Sequence, residues 1–194
     1  MAVIYTRDIE TPLGLMRLGM FEGRLVLALW LTGDPEKERA TEIRVARLCR
    51  AEGIVKGPHD LALEAEVQIM QYLNGFRDRF DLPIRLVGKK FQEHVWRQMS
   101  DVGYGTVMSY GDLAAMSGRP NGARAIGAAV GANPLHLIIP CHRIVEKSGG
   151  IGGYAGGLDV KRELIRRENL HRTSPEGYVS ACIEYLQRER PKDS

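Results

Sequence analysis

The sequence predicts an α+β protein in which a small N-terminal α/β unit precedes a mainly helical one. Short β-rich runs separated by turns fill residues 3–31, and apolar residues recur at helical spacing between 61 and 76. From about residue 90, helices joined by tight Gly-containing turns dominate. The 194 residues suit one domain or two small ones. We set the predicted boundaries at 1–88, 89–172 and a helical tail at 173–194.

The N-terminal unit begins with a predicted β-meander of three strands, at residues 3–6, 15–20 and 25–31. A charged, helix-permissive stretch follows at 35–51. The next helix, 61–76, is predicted from apolar residues at 63, 67, 70 and 73. Residues 82–88 resemble a strand or a linker that closes the unit.

A helix-turn-helix is predicted after a first helix that covers residues 91–102. Ser109 and Asp112 form a capping-box-like start for a helix from 110 to 117, and Gly118–Gly122 ends it. A second helix, Ala123–Ala132, is almost devoid of large side chains and carries Arg124 as its only charge. Its thin surface could enter a narrow groove, or it could pack tightly in a core; spacing leaves both open.

The remaining segments surround one cysteine. The apolar run Leu137–Ile139 predicts a buried strand that ends at Pro140, just before Cys141. Six glycines between 149 and 157 predict a tightly shaped loop, but no Gly-Lys-Ser/Thr follows, so it is not a phosphate loop. Helices are predicted at 159–168 and 176–188.

Composition narrows the class of protein. Three cysteines without a Cys-x-x-Cys pair argue against a disulfide framework, and the five histidines lack metal-ligand spacing, so we expect no metal site. Neither a signal peptide nor a membrane span is evident, so we expect a cytoplasmic protein. Nothing in the sequence suggests a large exposed apolar face, so we expect a monomer. Residues 88–172 hold 12 Lys and Arg against 7 Asp and Glu, a bias that either marks a polyanion-binding face or is scatter.

Cys141 is the candidate nucleophile. Its neighbours His142 and Arg143 favour a thiolate, and a carboxylate such as Glu168 could orient the histidine. Adjacent side chains of a strand point to opposite faces, so contact between Cys141 and His142 requires a bend or a bridging water. The alternative is a buried structural cysteine.

Residues 91–168 closely resemble the O6-alkylguanine-DNA alkyltransferases. The matching pieces are Phe91-Gln92-x-x-Val95-Trp96, Gly105-Thr106-Val107-Met108-Ser109-Tyr110-Gly111-Asp112-Leu113-Ala114, Ala123-Arg124-Ala125-Ile126-Gly127-x-Ala129, Asn133-Pro134, Ile139-Pro140-Cys141-His142-Arg143-Ile144, Gly152-Gly153-Tyr154-x-Gly156-Gly157-Leu158 and Lys161-x-x-Leu164-x-x-x-Glu168. The resemblance implies an N-terminal ribonuclease-H-like α/β domain and a C-terminal helical domain with the helix-turn-helix. It also implies repair of double-stranded DNA: an alkyl group moves once from O6-alkylguanine, with O4-alkylthymine as a second candidate, to Cys141. The damaged DNA is then itself the alkyl donor, so the resemblance implies no cofactor.

The resemblance assigns roles residue by residue. Cys141 attacks, His142 removes the thiol proton through a water, Glu168 orients His142, Tyr110 donates toward the leaving base, and Asn133 holds the turn before the cysteine. Expected DNA contacts, made in the minor groove around a flipped base, are Ser109, Ala123, Arg124, Ala125, Gly127, Ala128 and Gly131. Expected pocket residues are Ile144, Gly152, Gly153, Tyr154 and Ala155. Ala155 replaces a Ser common in relatives, which leaves pocket selectivity open.

Other functions compete with this interpretation. A damage-sensing module would flip and mark the base without transfer, but such proteins lack the cysteine that Cys141 provides. A transcription regulator would offer several long polar side chains on its recognition helix. A Cys-His hydrolase would explain Cys141 and His142 but not the helix-turn-helix.

Overall fold

The computed structural model describes residues 2–168, and its N-terminal unit is built on one four-stranded sheet of order β3-β2-β1-β4. The first three strands form the predicted antiparallel meander. A fourth strand, missed from the sequence, pairs in parallel with β1, and helix α1 connects it to β3. The bounds are β1 Val3–Thr11, β2 Gly14–Phe21, β3 Arg24–Trp30, α1 Pro35–Cys49 and β4 Gly53–Lys56.

Helix α2, Asp60–Leu73, covers the inner face of the sheet. Its buried side is formed by Ala62, Ala65, Ile69 and Tyr72. Of the four apolar residues that predict the helix, Leu73 is buried, but Leu63 and Val67 remain 48% and 55% exposed. The helix is apolar on both faces, so periodicity identified the helix but not the face that packs.

The C-terminal unit is helical and carries the predicted helix-turn-helix. Its elements are α3 Lys90–Ser100, β5 Met108–Ser109, α4 Tyr110–Met116, α5 Ala123–Gly131, β6 Ile144–Val145 and α6 Leu158–Arg167. Strands β5 and β6 form a short parallel pair that joins the start of α4 to the segment after Cys141. Trp96 of α3 is fully buried, and its Nε1 donates to the carbonyl of Ala129 at 2.8 Å, which holds α5 in place.

One hydrophobic core runs through both units. It joins β2 residues such as Met16 and Leu18 to Trp96 of α3, Ile126 of α5 and Leu164 of α6. The turn that follows α5 continues this contact, because the backbone N–H of Ala28 in β3 donates to Pro134 O at 2.8 Å and that of His136 donates to Ala28 O at 2.7 Å. The segment before Cys141 is thus attached to the edge of the N-terminal sheet.

The predicted strand at Leu137–Ile139 is wrong. These residues form a compact turn in which Leu137 adopts a left-handed φ of 71°, and Cys141–Arg143 form one turn of 3₁₀ helix. The side-chain amide of Asn133 bonds the backbone of the turn and satisfies groups that a strand partner would otherwise take. Residues 82–88 form a linker with a single bridge to Leu25. The predicted helix at 176–188 and Cys182 lie outside the described residues.

No helix within residues 2–168 combines the length and apolar character needed to cross a membrane. Within the same residues, no group of three or more His, Cys, Asp or Glu side chains could hold a metal ion.

Candidate active site

The Cys141 thiol is held by the turn that precedes it. Cys141 is 4% exposed, and Asn133 Nδ2 donates a hydrogen bond to its Sγ at 3.2 Å. The same amide nitrogen donates to Ile139 O at 3.0 Å, while Asn133 Oδ1 accepts from the Leu135 N–H at 3.0 Å. Asn133 therefore shapes the turn and contacts the sulfur with one side chain.

His142 and Glu168 form a buried pair behind the cysteine. His142 Nε2 lies 2.5 Å from Glu168 Oε1, and both side chains are at most 2% exposed. A carboxylate only accepts, so Nε2 carries the proton and Nδ1 has a free lone pair. That Nδ1 is buried and has no hydrogen-bond partner among residues 2–168. Burial lowers the pKa of His142 below its usual 6.5 even though Glu168 acts to raise it.

Glu168 accepts from several donors at once. Arg143 donates to it through Nε at 2.9 Å, and the backbone N–H of Gly105 does so at 3.1 Å. The Tyr72 hydroxyl also donates to Oε1, and it accepts from Arg143 at 3.1 Å. Burial raises the pKa of the Glu168 carboxyl, but His142 and Arg143 outweigh this effect and hold it at about 2. Glu168 is therefore ionised at neutral pH.

The resting cysteine is a thiol. Burial raises the pKa of Cys141 above its usual 9.0, and the hydrogen bond from Asn133 and the charge of Lys161 offset this only in part. A thiol is a poor nucleophile, so reaction at Sγ requires a base.

A cavity of about 270 Å³ opens above the thiol. The lining combines the start of α4, one side of α5 and the glycine-rich loop: Tyr110, Gly127, Val130, Gly131, Cys141, Gly153, Tyr154 and Ala155. Gly152 lies beside it with a φ of 69°, and a Cβ there would stand 3.0 Å from the Tyr110 ring, so a side chain would push that ring. Burial raises the pKa of Tyr110, and the nearby Glu146 carboxylate adds to the effect, so its hydroxyl keeps its proton.

Helix α5 presents a thin outer face beside this cavity. Ile126, Ala129 and Val130 are buried, and Ala123, Arg124, Ala128 and Gly131 are exposed. Ala125 and Gly127 are half-buried, and no atom lies within 4 Å of where a Cβ of Gly127 or Gly131 would stand. One side of α5 therefore packs in the core, and the other side is the thin surface that the sequence predicts.

Two predicted site residues lie away from the surfaces expected for them. Ser109 is fully buried as the N-cap of α4, where its hydroxyl accepts from the Asp112 N–H at 3.0 Å and donates to the Asp112 carboxylate at 2.7 Å. Ile144 is fully buried in β6 and is not among the residues that line the cavity.

Three further residues of the site were given no role in the sequence prediction. Tyr72 belongs to α2 of the N-terminal unit, 96 residues before Glu168. Lys161 is fully buried and donates to Ile144 O at 2.7 Å and Gly153 O at 3.1 Å, which ties the glycine-rich loop to β6. Trp30 of β3 donates through Nε1 to the Tyr154 hydroxyl at 3.0 Å. Tyr72 and Trp30 act across the fold, where spacing along the chain gives no indication, whereas Lys161 begins the motif Lys161-x-x-Leu164-x-x-x-Glu168, which the sequence did show.

Fold and site together define a two-part α/β protein in which a helix-turn-helix stands beside a buried cysteine with a His-Glu pair. Comparison with known proteins agrees with this class. Residues 90–170 match the family model described as 6-O-methylguanine DNA methyltransferase, DNA binding domain. The methylated-DNA–protein-cysteine methyltransferase of Mycolicibacterium paratuberculosis is 34% identical over 169 residues, which cover 87% of this chain and 94% of that relative.

Solved structures give the same result. The crystal structure of the Mycobacterium tuberculosis O6-methylguanine methyltransferase superposes with a TM-score of 0.71 at 30% identity, over 93% of this chain and 99% of that one. The structure of M. tuberculosis OGT in complex with DNA has a TM-score of 0.70 at 30% identity, over 85% and 92%. The chain belongs to the methylated-DNA–protein-cysteine methyltransferase family. The resemblance and the fold class predicted from the sequence are confirmed.

Proposed function

We propose that this protein repairs alkylated double-stranded DNA by moving the alkyl group of O6-alkylguanine onto Cys141, with O4-alkylthymine as a second substrate. One observation carries the proposal. A buried thiol lies on a cavity beside α5, receives a hydrogen bond from Asn133, and is followed by a histidine paired with an ionised Glu168. The names of the relatives point to the same reaction.

The DNA is bound through α5. Its exposed small side chains allow close approach to a minor groove, whose pattern of donors and acceptors carries little sequence information and suits a protein that acts at any sequence. The target atom is inside a stacked duplex, so the nucleotide is flipped into the cavity. Arg124, exposed on the first turn of α5, fills the gap in the stack. The DNA complex of the M. tuberculosis relative supports this partner.

The transfer is an in-line displacement at the alkyl carbon. His142 takes the thiol proton at Nδ1 through a water, and the Sγ electron pair forms the new S–C bond while the C–O6 bond breaks. The free lone pair of a neutral His142 supports this role. Glu168 fixes the tautomer and stabilises the imidazolium that results.

The leaving guanine departs with the electrons of the C–O bond. Tyr110 lines the cavity, and its raised pKa keeps it protonated, so it donates a hydrogen bond to the base as negative charge develops. The thioether on Cys141 is stable in water, and we therefore expect one transfer per molecule.

The test is the intact mass of the protein after incubation with a duplex that contains one O6-methylguanine, followed by peptide mapping. The expected result is one added methyl group per protein, on Cys141, with Cys49→Ala as a control that gains the same mass. Tight binding to the lesion without a mass gain would instead make the protein a damage-sensing module.

A further inference from the structure

The active-site turn and the wall of the cavity are both attached to the end of one N-terminal strand. The Trp30 backbone N–H donates to His136 Nδ1 at 3.3 Å, on the turn that carries Asn133. The Trp30 side chain donates through Nε1 to the Tyr154 hydroxyl at 3.0 Å. Trp30 is 3% exposed, and its backbone bond to His136 is buried.

The contact between Trp30 and the glycine-rich loop is close. A Cβ at Gly156 would stand 2.3 Å from Trp30 Cδ1 and 2.7 Å from Tyr154 Cε1, distances at which something must shift. Trp30 and Tyr154 therefore occupy the space that a side chain at residue 156 would need, and only glycine fits there. The loop is shaped around the indole.

Tyr154 lies between this anchor and the reacting groups. The centroid of its ring lies 6.4 Å from that of His142, in an edge-to-face arrangement, and 6.0 Å from that of His136, in a tilted one. Tyr154 also lines the cavity above Cys141. The glycine-rich loop that carries it has six glycines between residues 149 and 157 and so has many conformations available to it. A fixed position of Tyr154 requires contacts from outside the loop.

We propose that Trp30 is a positioning residue for substrate binding and acts through Tyr154. Trp30 is not among the residues that line the cavity, and it lines a neighbouring groove together with Tyr154 and His136. Its hydrogen bond and its packing against Gly156 select the loop conformation in which Tyr154 forms the wall for the flipped base. The N-terminal unit, which contains none of the groups proposed to react, thereby takes part in substrate recognition. The inference rests on the proposed function.

The test uses the full chain and free O6-benzylguanine, because a free base reports on the cavity without DNA binding or base flipping. The rate of benzyl transfer at increasing ligand concentration separates the dissociation constant from the limiting rate. Trp30→Phe keeps an aromatic ring and removes the N–H. We expect the dissociation constant to rise about tenfold, the effect of one lost hydrogen bond, with little change in the limiting rate. If Trp30 only stabilised the fold, its replacement would lower the amount of active protein and leave the dissociation constant unchanged.

Two further variants complete the design. Tyr154→Phe removes the same hydrogen bond by deleting one oxygen, and the double variant should lose no more than either single one. Trp96→Phe removes the other indole N–H, which bonds Ala129, and its effect should add to that of Tyr154→Phe.

Additive effects of Trp30→Phe and Tyr154→Phe, or an unchanged dissociation constant in both while the wild type reacts, would overturn the inference. If Trp30→Phe does not fold, Tyr154→Phe provides the test alone, and an unchanged dissociation constant in that variant would overturn the inference. A wild-type protein that gains no methyl group from the O6-methylguanine duplex would remove the proposed function itself and the inference with it.

Discussion

His142 Nε2 lies 2.5 Å from Glu168 Oε1, across 26 residues of sequence. Both side chains are excluded from water, and the carboxylate is shared with Arg143, Tyr72 and the backbone of Gly105. The pair therefore has two consequences: it leaves Nδ1 of His142 as the free acceptor, and it compensates the buried charge of Arg143. Substitutions at the site should separate these effects.

Replacement of the nucleophile should stop transfer and leave binding. Cys141→Ala removes the sulfur from a small residue at the cavity, and no charge or DNA-facing side chain changes. We expect no mass gain with methylated duplex and a dissociation constant for that duplex within a few-fold of the wild type. Any methyl transfer by the purified variant would contradict the assignment of Cys141.

Glu168→Gln should destabilise the protein strongly. The amide keeps the shape but leaves Arg143 buried without a countercharge, and loss of one partner of a buried pair costs about 3 kcal/mol or more. Urea unfolding measures this change. Glu163→Gln is the matched control, because Glu163 of α6 also pairs with two arginines, Arg166 and Arg167, but at the surface, where we expect a loss of less than about 1 kcal/mol. Equal losses of unfolding free energy in the two variants would show that the buried ion pair stabilises the protein no more than the surface one.

Arg124→Ala should affect repair of duplex DNA more than reaction with the free base. Arg124 is exposed on α5 and does not line the cavity, so only a substrate that must be flipped needs it. We expect a loss of about tenfold or more in the rate with duplex and little change with free O6-benzylguanine, as for removal of a contact worth at least about 1.4 kcal/mol. Arg24→Ala, at the exposed start of β3, should change neither rate. Equal loss on both substrates would contradict the flipping role.

The pH dependence of transfer should have its acidic limb below pH 6.5. Burial lowers the pKa of His142, so the histidine stays neutral and able to accept a proton at pH values where an exposed histidine is already charged. Burial raises the pKa of Cys141, so no gain from a spontaneous thiolate is expected below about pH 9. The rate with free base should be flat between these limits. A midpoint at or above pH 6.5 would show that His142 is not the base or is not buried in the active form.

Most helices and the meander could be predicted from sequence because their signals are local. Helical spacing of apolar residues identified α2 and α3, a small-residue stretch between two turns identified α5, and a charged run with two apolar residues identified α6. Turn residues separated β1, β2 and β3. Strand β4 was missed because Gly53–Lys56 is short and half-exposed, and its only pairing within residues 2–168 is with β1, which lies 50 residues earlier. The predicted strand at Leu137–Ile139 was wrong because an apolar run signals burial, not backbone conformation, and here a side chain, Asn133, satisfies the backbone.

The sequence by itself determined the family, the cysteine, its histidine and the thin helix, because these signals are carried by ordered motifs between residues 91 and 168. Only the tertiary structure decided which face of α2 packs against the core and which ring nitrogen of His142 is left without a hydrogen-bond partner in the described part of the chain. It also brought Tyr72 to Glu168 and Trp30 to Tyr154. Those contacts join residues 96 and 124 positions apart, and they depend on how the two units share one core, which no local pattern of residues encodes.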